Sequence, residues 1–159
     1  IFHMGQDCFL REAVAAGLDG VIIPDLPFEE CADFSRAASA SGVVNIRFVA
    51  PTTELDRLKA ICRGSKGFIY YISLAGVTGA RRELPPDIPA KVGIIKKFTS
   101  TPVCVGFGVS TPGQVARIQS AADGVIVGSA IIRKIKEHLG DADLVEKAGA
   151  FISTLTGRR

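Results

Sequence analysis

Five short apolar runs punctuate the chain: GVIIPD (20–25), VVNIRFVA (43–50), GFIYYIS (67–73), PVCVGF (102–107) and DGVIVGS (123–129). They are rich in valine and isoleucine and scarcely alternate with polar residues. That is the pattern of strands buried on both faces, as in a parallel sheet. A stretch of helical period follows each. Pro27 starts one, with Glu29 and Glu30 in its first turn and Gly42 past its end. Thr53 caps the next, where Leu55, Leu58, Ile61 and Cys62 share a face. Residues 89–99 supply a third, with Val92, Ile95 and Phe98 inward. Ser110 or Thr111 caps the fourth, with Pro112 near its first turn, and Ser129 opens the fifth, which runs to Leu139. A last helix over 143–156 places Leu144, Ala148, Phe151 and Leu155 on one stripe. Residues 7–16 form a helix ahead of everything and stop at Gly17.

The expected order is a helix, five strand–helix units and a final helix, in a single domain over residues 1–159. Right-handed crossovers lay such strands side by side and parallel. An open doubly wound sheet and a barrel of eight units both fit. Five units cannot close a barrel, so a barrel would lack about three units, at the front. Ile1 sits inside an apolar element, which points to a piece of something longer. The connection LAGVTGARRELPPDI, residues 74–88, breaks the rhythm. It runs for about fifteen residues without an apolar period, a length found in mobile lids and in plain surface loops.

Composition narrows the classes. With 159 residues and 47% hydrophobic content the chain can bury a real core and is not disordered. The net charge of +3 comes from scattered lysines and arginines, without the basic stripe that nucleic acid demands. No apolar run approaches the roughly 20 residues of a membrane span. Cys8, Cys31, Cys62 and Cys104 form no C-x-x-C pair, and His3 and His138 lie far apart, so no metal site is expected. Four free thiols suit a reducing cytoplasm.

Ligands of parallel α/β folds sit at the carboxyl ends of strands. Those ends offer Asp25, then Pro51 and Thr52, then Ser73 with Tyr70 three positions earlier, then Phe107 and Gly108, then Gly128 and Ser129. The turns GFGVS and VGSA, from the last two units, both lead into helix N-termini. Unpaired N–H groups and the helix dipole favour an anion there, and glycine removes the β-carbon that would hold it away. A phosphate is the natural guest. Tight-turn geometry alone also accounts for such glycines. As a dinucleotide fingerprint the motif matches only at its first glycines, with Asp123 as the sole acidic partner at the right distance. Asp25 is read as a helix cap or a pocket carboxylate. Tyr70 is read as a pocket group or a core aromatic.

The segments IIPDLPFEE, GFIYYISLAGVTGAR, PVCVGFGVSTPGQV and ADGVIVGSAI, in this order and spacing, resemble the alpha subunit of tryptophan synthase. The resemblance runs from about Phe2 to the last helix and implies strands 4–8 of a (β/α)8 TIM barrel. It implies cleavage of indole-3-glycerol phosphate to indole and glyceraldehyde 3-phosphate. The subunit itself needs no cofactor, and indole passes to a beta subunit carrying pyridoxal phosphate, in a cytoplasmic heterotetramer (plastid stroma in a plant). By the same resemblance Phe107, Gly108, Gly128 and Ser129 bind the phosphate and Gly79 closes on it. Thr78 positions a catalytic aspartate from the lid, and Tyr70 approaches the glycerol chain. The family's acid–base glutamate and its aspartate partner would fall before Ile1, so no catalytic residue is assigned within the chain, and the chain by itself is expected to be inactive because it is incomplete.

Three other readings stay open. One is a non-catalytic phosphate- or partner-binding module, and one is a stand-alone indole-releasing lyase. The third is another phosphate-binding barrel, such as a phosphoribosyl isomerase or a thiamine-phosphate synthase, for which GVTGAR has no evident reason. Five staves of a barrel would expose an apolar inner face and two strand edges.

Overall fold

The computed structural model describes residues 1–73, 85–106 and 108–157. Along the chain come α1 (Gln6–Ala15), β1 (Gly20–Ile22), a 3-10 turn (Phe28–Glu30), α2 (Ala32–Ala40), β2 (Val44–Val49), α3 (Leu55–Arg63) and β3 (Ile69–Ile72). Then follow α4 (Ile88–Lys96), β4 (Val103–Gly106), α5 (Pro112–Gln119), β5 (Gly124–Ile126), α6 (Ser129–Glu137) and α7 (Leu144–Thr156). The five strands form one parallel sheet in the order β1-β2-β3-β4-β5. A doubly wound sheet reverses its strand order at a switch point. This sheet never reverses, so its strands follow one another like the staves of a barrel.

The helices confirm which face is which. Val49, Ile69, Tyr71, Val103 and Val105 are buried in one cluster with Leu58, Ile61, Val92, Ile95, Val115 and Ile118 from α3, α4 and α5. A second cluster joins Leu10, Ala13, Phe34, Ala38 and Val43 beneath α1 and α2. The register pairs Phe48 with Tyr70, Tyr70 with Cys104 and Cys104 with Gly124, so these residues share the opposite face. That face is apolar but half-buried, and Ile22 on it is exposed. The runs therefore lack alternation for a different reason than burial on both sides. Both faces are hydrophobic, and among the described residues helices cover only one.

Local chemistry moved several boundaries. Pro27 is followed by the 3-10 turn, and α2 begins only at Ala32. Neither that turn nor α2 has a side-chain cap, so Asp25 is not the cap expected of it. Thr53 does not cap α3; Glu54 holds the N-cap position, and the Thr53 hydroxyl instead accepts from the Ala50 N–H at 3.0 Å. In α3 Leu58, Ile61 and Cys62 are buried as the period requires, whereas Leu55, in the first turn, is exposed. His138 ends α6, and its Nδ1 lies 2.9 Å from Asp141.

Asp123 is a structural clasp, not a ribose-binding group. One carboxylate oxygen accepts from Lys96 of α4 and the other from the Val103 N–H, both at 2.8 Å. The Lys96 hydrogen bond, then that of Val103, hold its carboxyl below the ordinary 3.8. A depressed folded pKa adds stability above the unfolded value that is lost as pH falls through the folded one. Asp123→Asn is therefore expected to destabilise the fold near neutrality by about 1 kcal/mol or less, since the ion pair is partly exposed. The difference should shrink as pH drops below about 4, as urea melts at pH 7 and pH 3 would check.

Candidate functional site

The ends of β3, β4 and β5 lie side by side at the carboxyl edge of the sheet. The last registered pairs are Ile72 with Gly106 and Gly106 with Ile126. Gly108 and Gly128 thus each stand two residues past the final pair of β4 and β5, level with one another on neighbouring staves. Buried Ser73 ties the end of β3 to β4: its N–H and its hydroxyl both donate to the Gly106 carbonyl, at 3.2 and 3.3 Å.

Tyr70 lies on the open face, its ring centroid 5.4 Å from that of Phe48. Burial pushes its phenol up, and among the described residues its hydroxyl has no hydrogen-bond partner. Its ring leans along the sheet past Cys104 to cover Gly106. A β-carbon built at 106 would meet the Tyr70 hydroxyl and Cε2 at 2.9 Å, and Ile126 at 2.8 Å. Gly106 is thus the floor on which Tyr70 rests. It was not among the residues assigned from the sequence, although the first glycine of GFGVS facing a strand tyrosine was the available signal. Tyr71, one position on, points into the helix-covered core, where burial and then Asp87 push its phenol up to about 12.

The two helix N-termini are not equivalent. In α5 Thr111 is the N-cap, and with Gln114 it forms a capping box. The N–H groups of Ser110 and Thr111 both donate to Gln114 Oε1, at 2.8 and 3.1 Å, and the Gln114 N–H donates to Thr111 Oγ1 at 3.3 Å. Three of the N–H groups at the start of α5, those of Ser110, Thr111 and Gln114, are therefore held by side chains of its own first turn. Beyond the end of β4 stands the turn at Gly108, whose φ of 75° favours glycine.

α6 differs. It has no side-chain cap, and the N–H groups of Ser129, Ala130 and Ile131 have no acceptor among the described residues. Gly128 precedes them at φ −114°, a value open to any residue, and no described atom lies within 4 Å of where its β-carbon would stand. Gly128 and Ser129 are exposed. Asp25 is exposed as well, beyond β1, on the rim of a different cavity. Tyr70, Gly108, Gly128 and Ser129 thus gather at one end of the sheet. Thr78, Gly79, Phe107 and most of the 74–88 connection lie outside the described residues.

Known proteins share this sequence and shape. The family model for the tryptophan synthase alpha chain matches residues 1–155. The tryptophan synthase alpha chain of Carboxydothermus hydrogenoformans is 44% identical over 154 residues, covering 97% of this chain and 58% of the relative. That of Thermoanaerobacter sp. strain X514 is 39% identical over 155 residues, covering 98% and 59%. Among solved structures, the tryptophan synthase alpha chain of Legionella pneumophila superposes with a TM-score of 0.85 at 36% identity, covering 99% of this chain and 58% of that one. A structure of the tryptophan synthase α2β2 complex of Pyrococcus furiosus gives 0.85 at 35% identity, covering 99% and 63%. The chain spans less than two thirds of the length of these relatives. Its five staves are the incomplete barrel of that fold, and the chain belongs to the tryptophan synthase alpha chain family.

Proposed function

We propose that this chain forms the phosphate-binding part of a lyase that cleaves indole-3-glycerol phosphate into indole and glyceraldehyde 3-phosphate. The observation that carries the reading is the uncapped first turn of α6 beside the Gly108 turn, within a chain of this family. The amides of Ser129 and Ala130 and the Ser129 hydroxyl supply donors where the helix dipole favours negative charge. Gly128 lets the phosphoryl oxygens approach, which neither its φ nor any described neighbour requires of a glycine. Phe107, Gly79 and Thr78 belong to the same proposal through the family motif. Tyr70, resting on Gly106, faces the glycerol chain.

In the cleavage, the bond between the indole ring carbon and the glycerol chain breaks. The ring carbon takes a proton, and the neighbouring hydroxyl loses one as the aldehyde forms. Those transfers need an acid–base pair, which we assign to the family's glutamate and aspartate rather than to Asp25. The partner is a beta subunit that carries pyridoxal phosphate and receives the indole, in the cytoplasm or a plastid stroma. Among the described residues no helix is long and apolar enough to cross a membrane. The test is indole release from indole-3-glycerol phosphate by the intact protein, with and without a beta subunit. Turnover that the beta subunit accelerates is expected. Heat from binding glycerol phosphate without turnover in either case would favour a binding module instead.

A further inference from the structure

Between α2 and α3, on the helix-covered side of the sheet, lies a cavity of about 190 Å³. It is remote in kind from the proposed substrate seat, because it opens at the amino ends of β2 and β3, beside Val43 and Lys66. Three cations line it, Arg36, Arg47 and Lys66, and no carboxylate does. Arg47 comes from β2 and is half-buried. One guanidinium nitrogen donates to the Ile61 carbonyl at 3.2 Å, and the group lies 5.2 Å from the centre of the Phe28 ring. Its other terminal nitrogen has no acceptor among the described residues. Gly64 makes room for it: a β-carbon there would stand 2.7 Å from Nη1.

The hydroxyls are turned the same way. Ser35 accepts from Asn45 Nδ2 at 3.0 Å, and Ser39 accepts from Lys66 Nζ at 2.7 Å. Each serine is thus held as an acceptor, and neither hydroxyl donates to an acceptor among the described residues. The charge does not cancel. Asp33 pairs with Arg36 at 3.2 Å. The carbonyl ends of α2 and α3 add the equivalent of about half a negative charge each. Against three cations, that leaves an excess of about one positive charge in a small, partly enclosed space.

We propose that this cavity is a second anion site, for a small oxyanion of the phosphate or sulfate class. Its volume is below the roughly 300 Å³ at which metabolite pockets begin, so it takes an inorganic ion or a single exposed phosphoryl group, not a whole substrate. Arg47 is the anchor, the two serine hydroxyls are further donors, and Arg36 and Lys66 close the rim. The site does not depend on the reading of the α6 N-terminus.

The experiment is a titration of the intact protein with inorganic phosphate, followed by the guanidinium NMR signal of Arg47. Sodium chloride at matched ionic strength is the control. A saturable shift with phosphate and not with chloride is expected, unchanged in Gly128→Asp, which removes the front seat. Arg36→Gln with Lys66→Gln, both exposed positions, should weaken binding about tenfold without altering the fold. Arg47→Lys should keep the fold and lose most of the binding. No saturable shift, an equal response to chloride, or loss of the shift in Gly128→Asp would each overturn the proposal.

Discussion

Gly128→Asp is expected to weaken binding of glycerol phosphate to the intact protein by about 10²-fold or more. The carboxylate would sit before the free N–H groups of α6, as an N-cap does, and take the place of the guest. A hydrogen bond to a charged group contributes about 1.5–3 kcal/mol, so losing two such bonds costs about 3–6 kcal/mol before solvent screening, against the roughly 2.8 kcal/mol of a 10²-fold loss. Stability should hold or rise slightly, because the new side chain caps a helix that has no side-chain cap. Calorimetry beside a thermal melt separates these effects. Weaker binding with an unchanged melt supports the assignment. Unchanged binding removes α6 from the site.

The second large effect belongs to Gly106. Gly106→Val would drive atoms into Tyr70 and Ile126, which leave only 2.9 and 2.8 Å for even a first carbon. Overpacking of this kind costs about 1–3 kcal/mol. On the proposed reaction the effect should be larger, since a displacement of about 1 Å in a positioning group can cost 10²-fold in rate. Tyr70→Phe keeps the ring on its floor and removes only the hydroxyl. It should therefore leave the melt nearly unchanged while still lowering kcat/KM. If Gly106→Val left kcat/KM intact while lowering the melt, Tyr70 would be a packing residue and not part of the site.

The strands and their order were legible because valine and isoleucine runs recur with helical stretches between them. The choice between an open sheet and a barrel was not. It needed the register, which shows strands in unbroken sequence and, among the described residues, helices on one face alone. An apolar residue on a bare face and one in a core look alike in sequence, and so Ile22 and Val103 could not be told apart there. Helix starts were legible only in part. Thr111 with Gln114 three residues on is a capping signal, yet Thr53 carried the same hydroxyl and was engaged by Ala50 instead. The same box altered the site, since it occupied amides at α5 that the glycine motif had marked as free. Gly106 escaped notice because its role is to have no side chain beneath Tyr70, and only three-dimensional placement reveals that. The cavity at Arg47 was equally silent: its cations are scattered along the chain and converge only when α2 and α3 pack on β2.

The proposed function rests on a phosphoryl group seated on the peptide N–H groups at the ends of β4 and β5. Amide NMR of the intact protein titrated with glycerol phosphate tests it most directly. The largest saturable shifts are expected at Gly108, Ser129 and Ala130, with little change at Ser110 and Thr111, whose N–H groups Gln114 already holds. Shifts centred elsewhere, with Ser129 and Ala130 unmoved at saturation, would contradict it.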